Sequence, residues 1–330
     1  MTTFRHLRPL LAALAVLALA GGVAACGSDD SGDSGGSTTA TTTAKDAKAI
    51  QKNSANAGTT LTIGSKNFTE QKVLGEVYAQ ALAAAGYTTK TELNLGDEKT
   101  ALKALKGGQI SGYPEYTGTA LASFLGVQAS DIPKDPQQAY QDVKTGLAAQ
   151  GITALPPTPF TSSNEVAVTK ATADKLGLKN ISDLEGKAQN LTLYGSPECR
   201  QRTDCLLGLQ QVYGLKFKKF VPVDISLRHE VLTKGQADVS IVFTTDPQIK
   251  REGFVLLKDD KGMFPPYNST FLVKTSTLDK AGADVSSTIE SVNKNLTADT
   301  LQELNARVDL DKETPQQAAA AYLKDFGYVQ

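Results

Sequence analysis

Short apolar runs of strand type alternate with segments of helical period, and the alternation occurs twice, before and after Pro156-Pro157. Leu61-Thr62-Ile63-Gly64 reads as a strand and Ser65 to Thr69 as a polar turn. Val73, Leu74, Val77, Tyr78, Ala81, Leu82 and Ala85 then recur at helical spacing up to Gly86. A strand around Thr89 to Leu95, a helix from Lys99 to Lys106 and a strand from Gln109 to Gly112 follow. Strand, helix, strand, helix, strand predicts a parallel sheet with crossover helices.

Beyond the proline pair the pattern restarts. Val166 to Val168 is apolar, and Ala171 to Leu176 and Ile181 to Leu184 are short helices. Leu191 to Tyr194 and Phe220 to Val223 read as strands, Cys205 to Tyr213 and Leu227 to Lys234 as helices. Val239-Ser240-Ile241-Val242-Phe243 is apolar enough for a strand covered on both faces. After Pro265-Pro266 come a strand from Ser269 to Val273 and a mostly helical tail that is expected to pack back on the first unit. The class is α/β in two units, with no repeat of fixed period.

Not all of the 330 residues belong to that body. Arg5 and Arg8 precede an apolar run from Leu10 to Ala20, and small residues lead to Cys26. Charged start, short apolar core and small-residue site make a secretory signal over residues 1–25. The run is shorter than the ~20 residues a membrane span needs. Val23-Ala24-Ala25-Cys26 resembles the lipobox of bacterial lipoproteins, which implies a diacylglycerol on the Cys26 sulfur and anchoring at the outer face of the cell membrane. The alternative is an ordinary cleaved signal with an incidental cysteine. Gly27 to Gly58, rich in Ser, Thr, Gly, Asp and Ala, reads as a disordered tether reaching about 30 Å, so that 26–58 is lipidated cysteine and tether.

Charge and cysteines narrow the function. Removing two arginines with the leader takes the formal charge from -1 to about -3, with no basic stripe, so nucleic acid is not an expected partner. Of three cysteines, Cys199 and Cys205 remain, and an exported close pair is expected to be oxidised; free thiols are the alternative. Their spacing suits no zinc site, and the two histidines, His6 and His229, stand apart, so neither metal nor cofactor is expected. His229 reads as a surface helix residue. GxSxG, HExxH, Walker and GxGxxG motifs are absent, which leaves an enzyme without a nucleophile, metal or phosphate loop. A non-enzymatic rival is an adhesion protein with no ligand-filled cleft.

Gly64-Ser65-Lys66-Asn67-Phe68-Thr69-Glu70-Gln71 and Tyr113-Pro114-Glu115-Tyr116-Thr117-Gly118-Thr119 resemble a family. Val212 to Phe217, Thr244-Thr245-Asp246-Pro247-Gln248-Ile249 and Asp259 to Asn268 carry the same resemblance, in order, across Thr59 to Gln330. The family comprises the substrate-binding proteins of ABC importers for glycine betaine, choline, carnitine and proline betaine. The resemblance implies a two-lobed periplasmic-binding-protein fold of type II, with the ligand in the inter-lobe cleft and ABC permease subunits as partners. Residues 59–162 and 268–330 would form lobe 1, and 163–267 lobe 2.

In such proteins tyrosines cage a methylated cation, which cannot donate hydrogen bonds, at about 0.5–2 kcal/mol per ring. Basic groups hold the carboxylate of a zwitterion. Tyr116 and Tyr267 match cage tyrosines, Thr119 a polar contact, and Lys66 and Arg202 the carboxylate side. The N-terminus of the first helix would add a favourable dipole behind Lys66. Phe243 and Asn164 stand where tyrosines are usual, and Ser162 where Asp or Asn is usual; Glu165, beside Asn164, would offer a carboxylate to a cation. These departures leave two cargoes open, an osmoprotectant or another amine or aromatic compound. Tyr78, Tyr140 and Tyr213 fall on amphipathic helical patterns and read as core.

Overall fold

The computed structural model describes residues 49–330; the leader, Cys26 and most of the tether lie outside them. Two five-stranded sheets organise the body. The first runs in the order β2 (Thr88–Glu92), β1 (Thr60–Gly64), β3 (Gly112–Tyr116), β10 (Ser269–Lys274), β4 (Ile152–Ala154). The second runs β7 (Lys219–Pro222), β6 (Thr192–Gly195), β8 (Val239–Phe243), β5 (Asn164–Val168), β9 (Val255–Leu257). Both sheets repeat one plan, and neither is purely parallel. β10 is antiparallel to β3 and β4, and β5 is antiparallel to β8 and β9. These returning strands are where the chain crosses between lobes, so alternation of helix and strand along the sequence did not reveal their direction.

Helix α1 (Thr69–Ala84) sits at the centre of lobe 1 because its apolar residues cover more than one face. Helices α2 (Glu98–Gly107) and α3 (Pro136–Ala148) pack on β3 and β4. Val73, Leu74, Val77, Tyr78, Ala81 and Leu82 of α1 are all buried, against β1 and the C-terminal helices α4 (Asp284–Asn293), α5 (Ala298–Asp309) and α6 (Pro315–Asp325). The Tyr78 hydroxyl donates to Asn293 Oδ1 at 2.9 Å. Gly86 ends the helical segment at φ +104°, a conformation that favours glycine. The helical tail thus packs on α1.

The third strand lies later than the sequence pattern suggests. Gly108 is left-handed at the end of α2, and Gln109 and Ile110 fold back onto the Ala104 carbonyl, so extended pairing starts at Gly112. That moves Pro114 into a strand. It is tolerated because β3 meets β1 only at Gly112 and thereafter pairs with β10 alone, so no ladder bond is missed on the open side.

Residues Ala49 to Gly58, assigned to the tether from composition, pack on the body. The Ile50 amide donates to the Tyr328 carbonyl at 2.9 Å, and Ser54–Gly58 form a 3-10 turn with Asn56 buried against Ala85. Polar capping bonds, including Asn53 to Asp284 at 2.8 Å, hold this stretch where apolar content does not.

Two extended crossings join the sheets, from β4 to β5 and from β9 to β10. They run side by side: Thr161 bridges Asn268, the Ser162 amide donates to the Tyr267 carbonyl at 3.1 Å, and the Tyr267 amide donates to Thr161 Oγ1 at 3.0 Å. Pro156-Pro157 and Pro265-Pro266 keep both segments extended and withhold amide donors. Among the described residues no helix is long and apolar enough to cross a membrane.

Candidate functional site

The strand ends, the loops after them and the two crossings meet at one cavity between the sheets. Lys66, Tyr116, Thr119, Ser162, Asn164, Arg202, Phe243 and Tyr267 all line it. Residues up to 201 positions apart in the chain are thereby gathered, since Lys66 follows β1, Phe243 ends β8 and Tyr267 belongs to the second crossing. Openings at strand carboxyl ends are where open α/β sheets take ligands.

One wall is aromatic. Phe68 lies between Tyr116, with centroids 6.3 Å apart and planes 19° from parallel, and Phe243 at 5.2 Å. Tyr267 lines the same cavity from the second crossing. Gly118 permits the approach: a Cβ there would stand 2.7 Å from Pro265 Cγ and 3.0 Å from Tyr267 Cε1. The rings already attract cations within the chain, with Lys66 Nζ 4.6 Å from the Tyr116 centroid and Arg228 Cζ 4.6 Å from that of Phe243.

Every basic group at the cavity has a buried carboxylate partner. Lys66 pairs with Glu115, and it lies before α1 rather than on its first turn. Arg202 presents its fork to Asp204, with Nε to Oδ1 at 2.8 Å, and reaches Thr119 Oγ1 at 3.3 Å. Arg228 presents its fork to Asp246, with Nε to Oδ2 at 2.9 Å. Burial pushes all three carboxyls up, and the outcome depends on the partner. The Arg202 guanidinium and Tyr267 hydroxyl override burial and hold Asp204 below the usual carboxylate range. Arg228 and His229 do the same for Asp246. For Glu115 burial prevails over Lys66, and its carboxyl is raised.

Asn164 supports the Tyr267 ring. Its amide donates to the Tyr267 hydroxyl at 3.0 Å and to the Asp204 carbonyl at 3.2 Å, while that hydroxyl donates to Asp204 Oδ2 at 2.7 Å. Ser162 shares a hydrogen bond of 2.9 Å with Thr245, at the end of the second sheet. Cys199 and Cys205 are joined and line the cavity, on either side of Arg202 and Asp204.

Two expectations fail for reasons of strand geometry and packing. Glu165 does not line the cavity; as the neighbour of Asn164 on β5 it points to the other face of the sheet. His229 is buried rather than on the surface, because its Nε2 lies 2.7 Å from Asp246 Oδ2. Tyr78, Tyr140 and Tyr213 are buried as expected. Phe68, Arg228 and Asp204 were missed. Phe68 stood inside a quoted motif as an apparent turn residue, and Asp246, the partner of Arg228, stood inside another. Nothing in its immediate sequence marks Arg228.

Two α/β lobes joined by paired crossings, with an aromatic and charge-lined cleft between them, define a type II solute-binding protein. Residues 59–325 match the family described as the substrate-binding domain of ABC-type glycine betaine transport systems, and the chain belongs to that family. The glycine-betaine-binding protein of Pseudomonas aeruginosa is 32% identical over 277 residues, covering 81% of this chain and 88% of that one. An ergothioneine transport permease/binding protein of Helicobacter pylori is 27% identical over 274 residues, 81% of this chain and 48% of that longer one. A solved structure of a glycine betaine/carnitine/choline ABC transporter superimposes with a TM-score of 0.65 at 25% identity, covering 81% of this chain and 99% of the other.

Proposed function

We propose that this protein is the solute-binding lipoprotein of an ABC importer, held by a lipid on Cys26 at the outer face of the cell membrane. It captures a quaternary-ammonium osmoprotectant, such as glycine betaine or choline, and delivers it to the permease. It performs no chemistry itself. The observation that carries this reading is that four rings, Phe68, Tyr116, Phe243 and Tyr267, line one inter-lobe cavity. Ring faces suit a methylated ammonium, while Thr119, Ser162, Asn164, Lys66 and Arg202 meet the polar end. The family and the glycine-betaine-binding relative support the same cargo.

The test is calorimetric titration of the chain, unfolded and refolded to strip retained solute, with glycine betaine, choline, carnitine and proline betaine. Saturable heat at about micromolar concentration is expected for at least one. No heat from any of them, with the protein shown to be folded, would refute the osmoprotectant reading and leave another amine or aromatic cargo. The lipid is tested separately: mass spectrometry of the exported protein should find diacylglycerol on Cys26, and a soluble, unlipidated product would refute the anchor.

A further inference from the structure

Behind the aromatic wall lies a carboxylate that the basic groups of the cleft do not neutralise. Glu70, on the first turn of α1, is 3% exposed and forms no ion pair within 4 Å among the described residues. Its Oε1 accepts the Tyr116 hydroxyl at 2.6 Å, and its Oε2 accepts Asn305 Nδ2 at 3.1 Å. Asn305 also donates to the Thr245 carbonyl at 3.2 Å, which ties the carboxylate to the end of the second sheet. Arg228 is within electrostatic reach of Glu70, but its fork is taken by Asp246. Lys66, Arg202 and Arg228 each face their own acid, so Glu70 is a buried carboxyl beside the cage with no cation of its own among the described residues.

We propose that Glu70 is a specificity-determining residue of the cleft, acting through the Tyr116 hydroxyl to favour a cation over a neutral group of the same shape. A phenol that donates to a carboxylate gains electron density on its ring, because hydrogen bonds to charged groups are strong and polarise their partners. Once ionised, the carboxylate also attracts a cation on the ring face directly, in a setting where water screens little. Burial pushes the Glu70 carboxyl up, against hydrogen bonds from Thr245, Tyr116, Asn305 and Ser162. A bound cation works in the opposite direction and favours the ionised form. Glu70 also satisfies the buried Tyr116 hydroxyl and Asn305 amide, so its charge is separated from its structural role by a variant that keeps an acceptor oxygen.

This role presupposes the quaternary-ammonium cargo proposed above. The experiment pairs each ammonium compound with its carbon isostere: choline with 3,3-dimethylbutan-1-ol, and glycine betaine with 3,3-dimethylbutanoate. Affinities are measured on the full chain and on Glu70→Gln, which keeps the size and an acceptor oxygen. The preference for ammonium over isostere is expected to fall about tenfold or more in Glu70→Gln, with isostere binding nearly unchanged. Equal loss for both members of a pair, or no loss, would overturn the role of Glu70 while leaving the cargo intact. Failure of the unaltered protein to bind any ammonium compound would overturn the cargo and, with it, this role. Should Glu70→Gln not fold, Tyr116→Phe decides, since it keeps the ring and removes the link; an unchanged preference there overturns the proposal.

Discussion

Asp204 holds together three parts of the cleft, and Asp204→Asn tests whether that contact carries the stability the geometry implies. The carboxylate is fully buried, while the Arg202 side chain keeps 15% exposure. The substitution preserves shape but leaves the guanidinium without its charged partner and weakens the acceptor of the Tyr267 hydroxyl. Breaking a buried ion pair costs about 3–5 kcal/mol. Two features reduce that here: Arg202 reaches water, and Glu98 stands 3.8 Å from its Nη1. We therefore expect a loss of about 2–3 kcal/mol, which for a chain of this size corresponds to a fall in Tm of about 4–10 °C. Denaturant titration and calorimetric melting measure it. Replacing both partners, Arg202→Met with Asp204→Leu, should recover part of the loss, because the guanidinium and its carboxylate leave together while Glu98 gives up only a 3.8 Å contact. A single variant within about 0.5 kcal/mol of the parent, or a double variant as unstable as the single, would refute the reasoning.

The remaining expectations concern separate parts of the site and the sheet behind it. Tyr116→Ala or Tyr267→Ala should weaken binding of the ammonium ligand at least tenfold, about 1.4 kcal/mol, by titration; unchanged affinity in both would dismiss them as cage walls. Glu165 is pushed up to about 7 from its ordinary 4.5 by burial, with Asp259 adding to it. The folded state thus binds its proton more tightly than the unfolded chain, so stability falls as pH rises from 4.5 to about 7. Glu165→Gln should remove about 2–3 kcal/mol of that fall, and an unaltered pH profile of stability would contradict it. Changing Cys199 and Cys205 together to Ser should cost about 2 kcal/mol and weaken ligand binding, since the closed loop contains Arg202 and Asp204. Loss of neither would show that the bridge supports neither the fold nor the cleft.

The class of fold was legible because strand and helix period are local properties. Val239 to Phe243 needs only its own apolar run to be a buried strand, and it is one. Recognition of the site residues rested on motifs that keep their spacing along the chain. Partners were a different matter. Lys66 and Arg202 looked like free cations because the acids that neutralise them, Glu115 and Asp204, become partners only when β3 pairs and the Cys199–Cys205 loop closes. Asn164 looked like a missing ring, and folding makes it the support of another ring, Tyr267.

By itself the sequence determined the strands and helices, the two-unit organisation, the leader pattern and which side chains carry suitable chemistry, since each depends on neighbours within a few turns. Only the tertiary structure decided the antiparallel returns of β5 and β10, the place of Ala49 to Gly58 on the body, and the inward turn of His229 and Glu70. Those outcomes depend on pairings between distant segments, where one buried carboxylate finds or lacks a cation according to which strand lies beside it.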